Sequence, residues 1–386
     1  MKKIFFSFFI CGCFFLFAEE RPLYESTFNP KSTGIFLPVK IGEKECKFLF
    51  DTGASFVVLD KGMVPLLGDA LSLREAQARI GVELTNNRII TPNGELDLLL
   101  YKAIPMKLGR LQVANRFPYM TADLQALWSF SGEQFCGILG MSFLHQFRWE
   151  IDFKKGKLKA YIGAEPYMGE YNTRSPIFWS SSHIPQVNVN LNGKDVGFDI
   201  DLGDNGTGRL LKETLVFLEQ NSQVLAKHEQ TIITVSDQSQ SEEVRLKYLR
   251  FSDVIYPHVI MQVSQQNALG RGFFKRHKLV LDFPFNMLYL QHYEGYNAAD
   301  EIDKSGIRVI LKEGKLIVFD IKPLSGAIVE NLHKGDEIVM VNGKKGLSIF
   351  ELRALLRGDE GEELLLTTKR EEKIFTSRVL LGKAEI

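Results

Sequence analysis

Two aspartates lie in similar local patterns, 150 positions apart in a chain of 386 residues. The first heads the motif Asp51-Thr52-Gly53-Ala54-Ser55 and the second heads Asp201-Leu202-Gly203, and each motif follows a short, largely apolar run. Such runs predict buried strands, and the small polar residues after them predict tight loops. Burying a carboxylate between such strands costs free energy unless the carboxylate is hydrogen-bonded or used in acid–base chemistry. A turn in which the aspartate caps its own backbone is the plainer alternative.

The segments around the two aspartates also recur, which predicts an internal duplication. Gly140 and Asp152 in the first half return as Gly270 and Asp282, and both pairs are separated by 130 positions. We place the two halves at residues 30–165 and 176–293. The segment 166–182 contains glycine, proline and several serines, and it is predicted to be the linker.

These motifs resemble those of the aspartic proteases, specifically the retropepsin-like bacterial branch. The resemblance rests on the pentapeptide from Asp51, on the apolar-apolar-glycine segment that ends at Gly140, and on 151–158, which looks like the hairpin that closes a lobe. It implies a mainly β, bilobal fold with Asp51 and Asp201 as the catalytic pair. In that mechanism the two carboxylates share a proton, and they activate a water that attacks the peptide carbonyl.

The resemblance assigns supporting roles in the catalytic loops to Thr52, Gly53, Ala54, Ser55, Gly140 and Gly203. Leu202 departs from the family pattern, because a Thr or Ser is expected there, with a hydroxyl that helps to tie the two loops together. Asp204 adds negative charge beside Asp201, and Ala54 offers no hydroxyl to an ionised Asp51. Both features predict an activity optimum nearer neutral pH than in acid-acting relatives.

The unusual second motif leaves three possibilities open. Asp51 and Asp201 form a working dyad within one chain, or two Asp51 loops meet in a homodimer, or the protein binds peptides without cleaving them.

Residues 89–96 are predicted to form a hairpin with Asn-Gly turn chemistry, which resembles the flap over the cleft of such enzymes. An ordinary hairpin at a sheet edge is the alternative. The segment 70–84 has helical composition.

Residues 303–382 resemble the PDZ domains that are attached to bacterial periplasmic proteases. The most specific marks are the segments 334–338 and 341–344, together with a predicted amphipathic helix at 349–356. The resemblance implies a small α+β domain that adds an extended peptide to its sheet and holds the peptide's C-terminal carboxylate on backbone N–H groups. Gly306 and Ile307 would then lie in the carboxylate-binding loop. A domain that only packs against the protease is the alternative.

The first 18 residues have the pattern of a signal peptide, with two lysines, an apolar run over 4–17 and a small residue before acidic ones. We expect cleavage after Ala18 and export to the periplasm or beyond, with a lipid anchor at Cys13 as the alternative. No later stretch is apolar and long enough to span a membrane. Cys46 and Cys136 would remain in the mature chain, either as a disulfide or as two buried thiols.

The composition argues against several other classes of function. Lys plus Arg and Asp plus Glu each number 47, so no basic excess predicts nucleic-acid binding. The sequence has no Gly-rich phosphate loop, no Gly-x-Ser-x-Gly and no His-Glu-x-x-His motif. A calcium-loop-like stretch that starts at Asp201 lacks the required ligands at Gly203 and Lys212. We therefore expect no cofactor and no metal, and we expect protein or peptide substrates.

Overall fold

A computed structural model describes residues 21–80, 88–91, 94–97, 99–113, 117–233, 238–323 and 326–383. They form a mainly β structure with four large sheets and one separate two-stranded hairpin. None of the helices within these ranges combines the length and the apolar character needed to cross a membrane. The predicted signal peptide, with Cys13 and Ala18, lies outside the described residues.

Short apolar and aromatic runs supply most strands of the first half. Its elements are β1 (Tyr24–Thr27), β2 (Phe36–Ile41), β3 (Lys44–Phe50), β4 (Val58–Asp60), a 3-10 helix (Lys61–Leu66), α1 (Leu73–Ile80), β5 (Arg88–Thr91), β6 (Gly94–Asp97), β7 (Leu99–Tyr101), β8 (Met106–Leu108), β9 (Leu111–Val113), β10 (Tyr119–Ala122), α2 (Gln125–Ser131), β11 (Gly137–Leu139), α3 (Met141–Leu144), β12 (Arg148–Asp152) and β13 (Lys157–Tyr161).

β3 lies inside the eight-stranded sheet of the first half, antiparallel to β2 and parallel to β11. β11 also pairs with β4, which in turn pairs with β10. The last residue of β3 is Phe50, which is fully buried, so Asp51 begins its loop directly at the end of a core strand. Cys46 of β3 and Cys136 form a disulfide with 6.1 Å between their Cα atoms, which decides between the two states that the sequence left open.

The middle of the chain forms a ten-stranded sheet and part of a six-stranded one. Its elements are β14 (Thr173–Pro176), β15 (Phe178–Trp179), β16 (Pro185–Leu191), β17 (Lys194–Asp201), β18 (Gly208–Leu211), α4 (Lys212–Gln220), β19 (Val224–Ile233), β20 (Gln238–Leu246), β21 (Tyr248–Phe251), β22 (Val254–Pro257), β23 (Ile260–Ser264), β24 (Ala268–Gly270), α5 (Arg271–Phe274), β25 (His277–Asp282) and β26 (Met287–His292).

The ten-stranded sheet uses the same order of strand pairing as the first half. β17 is antiparallel to β16 and parallel to β24, and β24 pairs with β18, which pairs with β23. Asp201 ends β17 opposite Gly270 in the β17–β24 register. Asp201 therefore has the same position relative to its sheet as Asp51 has in the first half.

A six-stranded sheet joins the two halves of the chain. β12 pairs antiparallel with β25, so that Trp149 lies opposite Leu281, and β13 and β26 extend the sheet on either side. Within the predicted linker 166–182, β14 pairs with β26 and β15 pairs with β16. β14 is largely polar and β15 has only two residues, so these strands, which are held by backbone pairing to existing sheet edges, leave little hydrophobic pattern in the sequence.

The C-terminal residues form a seven-stranded sheet with one helix and a separate apolar core. The predicted helix at 349–356 is confirmed as α6, which begins with a capping box between Ser348 and Glu351. The elements are β27 (Ile307–Lys312), β28 (Lys315–Ile321), β29 (Ile328–Glu330), β30 (Glu337–Val341), β31 (Lys344–Lys345), α6 (Ile349–Leu355), β32 (Glu363–Arg370) and β33 (Lys373–Leu380).

The hairpin predicted at 89–96 is present as β5 and β6, which pair antiparallel in a sheet of their own. Its turn residues Pro92 and Asn93 lie outside the described residues, and its role as a flap stays a prediction. The helix expected within 70–84 occupies 73–80 as α1, and residues 81–84 lie outside the described ranges.

Candidate active site

The loops that carry Asp51 and Asp201 meet face to face. A Cβ atom on Gly53 would collide with the carboxylate of Asp201, and one on Gly203 would collide with the carboxylate of Asp51. Each glycine therefore lets the opposite carboxylate approach the backbone closely. Gly53 also donates its N–H to Asp51 Oδ1 at 2.8 Å, and Gly203 donates to Asp201 Oδ1 at 3.0 Å. The structure thus brings together the two aspartates that the sequence placed 150 positions apart.

Thr52 ties the two loops together through its hydroxyl. Its Oγ1 donates to the carbonyl of Ile200 at 2.6 Å and accepts the backbone N–H of Leu202 at 3.0 Å. Thr52 is fully buried, and the side chain of Leu202 lies in the apolar core. The side chain of Leu202 offers no hydroxyl to the first loop, as expected. Its backbone N–H still takes part in the link.

We expect Thr52→Val to weaken this connection strongly. Valine keeps the shape of threonine but leaves a buried carbonyl and a buried N–H without their partner, at a cost of about 1–3 kcal/mol for each group. The free energy of unfolding, measured by urea titration, should therefore fall by at least about 2 kcal/mol.

Ser55→Ala is the matched control for this measurement. The Ser55 hydroxyl also connects the two halves, since it donates to the Ser182 carbonyl at 2.8 Å, but this bond is exposed. Its loss should cost no more than about 1 kcal/mol. Equal losses in the two variants would contradict a special role for Thr52.

The segment around Gly140 is hydrogen-bonded to the loop that contains Asp51. The backbone N–H of Met141 donates to the Ala54 carbonyl at 2.7 Å, and that of Ser142 donates to the Ser55 carbonyl at 2.8 Å. A side chain on Gly140 would collide with the carbonyls of Ala54 and Phe56. Gly140 therefore lies beside the loop that contains Asp51, Ala54 and Ser55.

The sequence reasoning missed Arg209, a buried arginine at the end of the Asp201 loop. Its Nη2 donates to Asp201 Oδ2, and its Nε lies 3.5 Å from Asp204 Oδ2. The other oxygen of Asp201 accepts the backbone N–H groups of Gly203 and Asp204, both at 3.0 Å. Asp201 is therefore surrounded by donors, and donors of this kind favour an ionised carboxylate.

The two carboxylates consequently have different environments. Burial, followed by the negative charge of Asp201, raises the pKa of Asp51 well above its usual range. Burial alone would lower the pKa of Arg209, but the charges of Asp201 and Asp204 raise it, so this guanidinium stays charged. The charge that Asp204 adds to the loop is compensated by Arg209, which the sequence-based argument about pH did not include. The arrangement favours the protonated form of Asp51.

An open cleft of about 1400 Å³ runs past both aspartates. Its lining includes Phe130 from α2, Gln262 from β23, and Arg308 and Arg353 from the C-terminal residues. Three parts of the chain thus contribute to one cleft, which has room for an extended peptide.

The other two predicted site residues, Gly306 and Ile307, lie at the start of β27, on the border of the same cleft. Their N–H groups are already engaged: that of Gly306 donates to Asp303 Oδ1 at 3.1 Å, and that of Ile307 donates to Ser305 Oγ at 3.0 Å. In this structure these amides therefore contact the chain's own polar groups.

Comparison with known families gives a match for the first half of the chain. The family described as aspartyl protease matches residues 37–143, a range that contains the Asp51 loop and Gly140. The match supports an aspartic-type peptidase for this part of the chain, and it ends before Asp201. A search of curated proteins found no match to the chain.

Proposed function

We propose that the protein is an exported aspartic endopeptidase that cleaves peptide bonds with Asp51 and Asp201 of one chain. The proposal rests above all on the reciprocal packing of Gly53 against the carboxylate of Asp201 and of Gly203 against that of Asp51. The matching order of strand pairing supports a duplicated bilobal protease, with lobes at 30–165 and 176–293. Export rests on the sequence pattern of residues 1–18.

The surroundings of the two aspartates suggest a division of roles. Ionised Asp201 would accept a proton from a water whose oxygen attacks the peptide carbonyl carbon, while protonated Asp51 would donate its proton to the carbonyl oxygen. The resulting tetrahedral intermediate would collapse as the C–N bond breaks. The leaving nitrogen would then take the proton held by Asp201, and Asp51 would recover its proton from the new hydroxyl groups.

The seven-stranded sheet with α6 supports a PDZ-like domain at 303–382, and we propose that this domain contacts protein substrates at the cleft.

A protein that binds peptides without cleaving them is the second candidate. The observation in its favour is Arg209, whose ion pair with Asp201 would weaken Asp201 as a base.

Cleavage of unfolded casein by the mature protein over pH 3–8 tests the proposed function. We expect proteolysis that pepstatin inhibits and that Asp51→Asn reduces by at least about a hundredfold. The high pKa of Asp51 keeps the proposed acid protonated toward neutral pH, so activity should persist above the range where an ordinary aspartic acid ionises. A protein that is inert throughout this range would favour the peptide-binding alternative.

A further inference from the structure

β27 is the outermost strand on one side of the C-terminal sheet, and α6 packs beside it. Val309 of β27 and Ile349 and Leu352 of α6 share one apolar core. An edge strand offers unpaired backbone groups to a further strand unless something covers it. A groove between an edge strand and a helix has the form in which extended peptides are added to a sheet.

Helix α2 of the first half lies at this groove and contacts β27. A Cβ atom at Gly132, the C-cap of α2, would be only 2.6 Å from Ile349 Cγ2, so the end of α2 abuts α6 as well. Arg353 of α6 connects all three elements, because its Nη2 donates to the Phe130 carbonyl at 2.8 Å and to the Val309 carbonyl at 2.9 Å. Its guanidinium also stacks 4.8 Å above the ring of Phe130.

The loop before β27 is filled by a carboxylate from the same chain. Asp303 Oδ1 accepts the backbone N–H groups of Ser305 at 2.9 Å and Gly306 at 3.1 Å, and it also accepts the Ser305 hydroxyl at 2.5 Å. Gly306 has a positive φ of 68°, and any side chain there would collide with the carbonyl of Lys322. The loop is therefore tight. Of the two amides predicted to receive the carboxylate of a peptide, that of Gly306 is occupied by Asp303, and that of Ile307 is occupied by the Ser305 hydroxyl, which Asp303 in turn accepts.

The groove that α2 occupies and the loop that Asp303 occupies both border the catalytic cleft. Leu127 and Phe130 of α2 line it, and so do Asp303, Gly306 and Arg353 of the C-terminal residues. A movement that takes α2 off β27 would therefore change the wall of the cleft that contains Asp51.

We propose that the C-terminal domain is self-ligated, with Asp303 in place of a peptide carboxylate and helix α2 in place of an added strand. An extended peptide with a free C-terminus binds there by displacing both, and its binding shifts the α2 wall of the catalytic cleft. The domain is thus held closed by the protease half of the same chain. The contacts that carry this inference do not depend on whether the aspartate dyad is active.

Peptide binding by a released variant tests the proposal directly. The released variant carries Asp303→Ala and Arg353→Gln, which remove both contacts. Every protein in the experiment also carries Asp51→Asn, so that the probe is not cleaved. The reference protein carries Asp51→Asn alone. The probe is a pool of fluorescein-labelled hexapeptides with random internal positions and a C-terminal Ile or Val, as free acid and as amide. The matched control is Asp359→Ala, an exposed carboxylate of the same domain.

Fluorescence anisotropy should show that the released variant binds the free-acid pool at least about tenfold more tightly than the reference and the Asp359→Ala control. This factor follows if the open state is at most about one-tenth populated before release. The affinity for the amide pool should increase much less. Equal affinities of reference and released variant, or binding by neither, would overturn the proposal.

A cross-link provides a second test that does not rely on weakening the domain. A Cβ atom at Gly132 would lie 3.8 Å from Ile349 Cβ, which is close to the mean separation in disulfides. Gly132→Cys with Ile349→Cys, oxidised, should hold α2 in the groove and abolish binding of the free-acid pool, and reduction should restore it.

The reference protein under the same reductant controls for opening of the Cys46–Cys136 bond. Each single-cysteine variant controls for the loss of Gly132 or Ile349. Unchanged peptide binding after cross-linking would show that α2 does not compete with peptides. Because both tests measure binding in the Asp51→Asn background, their failure is distinct from a failure to find peptidase activity.

Discussion

Asp201→Asn is expected to reduce casein cleavage at least about a hundredfold, to the same level as Asp51→Asn, because proton transfer by a positioned carboxylate contributes about 10²–10⁴-fold. Asparagine retains the shape of the side chain and an oxygen that can accept the N–H groups of Gly203 and Asp204. Arg209 loses one of its two ionic partners but keeps Asp204, so a variant that stays folded reports the missing carboxylate. Initial rates at saturating casein, with the folded state verified by circular dichroism, provide the measurement.

This substitution also separates a dyad within one chain from a homodimer. If two Asp51 loops met across a dimer, Asp201→Asn would leave activity nearly unchanged, whereas the packing of Gly203 against Asp51 places both carboxylates in one chain. Mixing the Asp51→Asn and Asp201→Asn proteins supplies the control. The mixture should stay inactive at all concentrations, and recovery of activity on mixing would show that chains share their sites.

Much of this site could be predicted from sequence because the two halves contain similar local patterns. A strand followed by Asp-x-Gly recurs after 150 positions, the apolar-apolar-glycine segment that supports the loop recurs after 130, and the structure pairs Phe50 with Leu139 and Ile200 with Leu269. The pairing depends on short buried strands, whose hydrophobic pattern is the strongest local signal. The position of Asp51 relative to Asp201 followed from this pattern.

What could not be predicted depends on contacts between distant parts of the chain. Arg209 lies in an otherwise ordinary strand, and only comparison with the first half marks it: Arg209 corresponds to Val58 in the strand registers, and Asp204 falls on Ala54 at the 150-residue offset. Two opposite charges thus stand where the first half has two apolar residues. Asp303 was missed for a similar reason, because a single aspartate before a glycine is common in turns and does not reveal what its carboxylate contacts. The position of α2 on β27 has no local signature.

Arg209 and Asp204 distinguish the second half from the first. Arg209→Leu introduces an apolar residue, as at Val58 of the first half, and removes the cation between Asp201 and Asp204. Removing one partner of a buried ion pair costs about 3–5 kcal/mol, so the free energy of unfolding should fall by about this amount at neutral pH. The bare carboxylates should then bind protons more tightly in the folded state than in the unfolded state. Stability of the variant should therefore recover as pH falls, and it should decline further as pH rises.

The same substitution should move the pH dependence of casein cleavage. A neighbouring cation lowers a carboxyl pKa by about 1–3 units, so its loss should shift the acidic limb of the pH–rate profile upward by a similar amount. Arg209→Leu with Asp204→Ala is the matched control, because it removes both charges and leaves apolar residues at both positions, as in the first half. It should regain much of the lost stability. A profile that does not move in either variant would show that Arg209 has no influence on the protonation of the dyad, and its contact with Asp201 would then be structural alone.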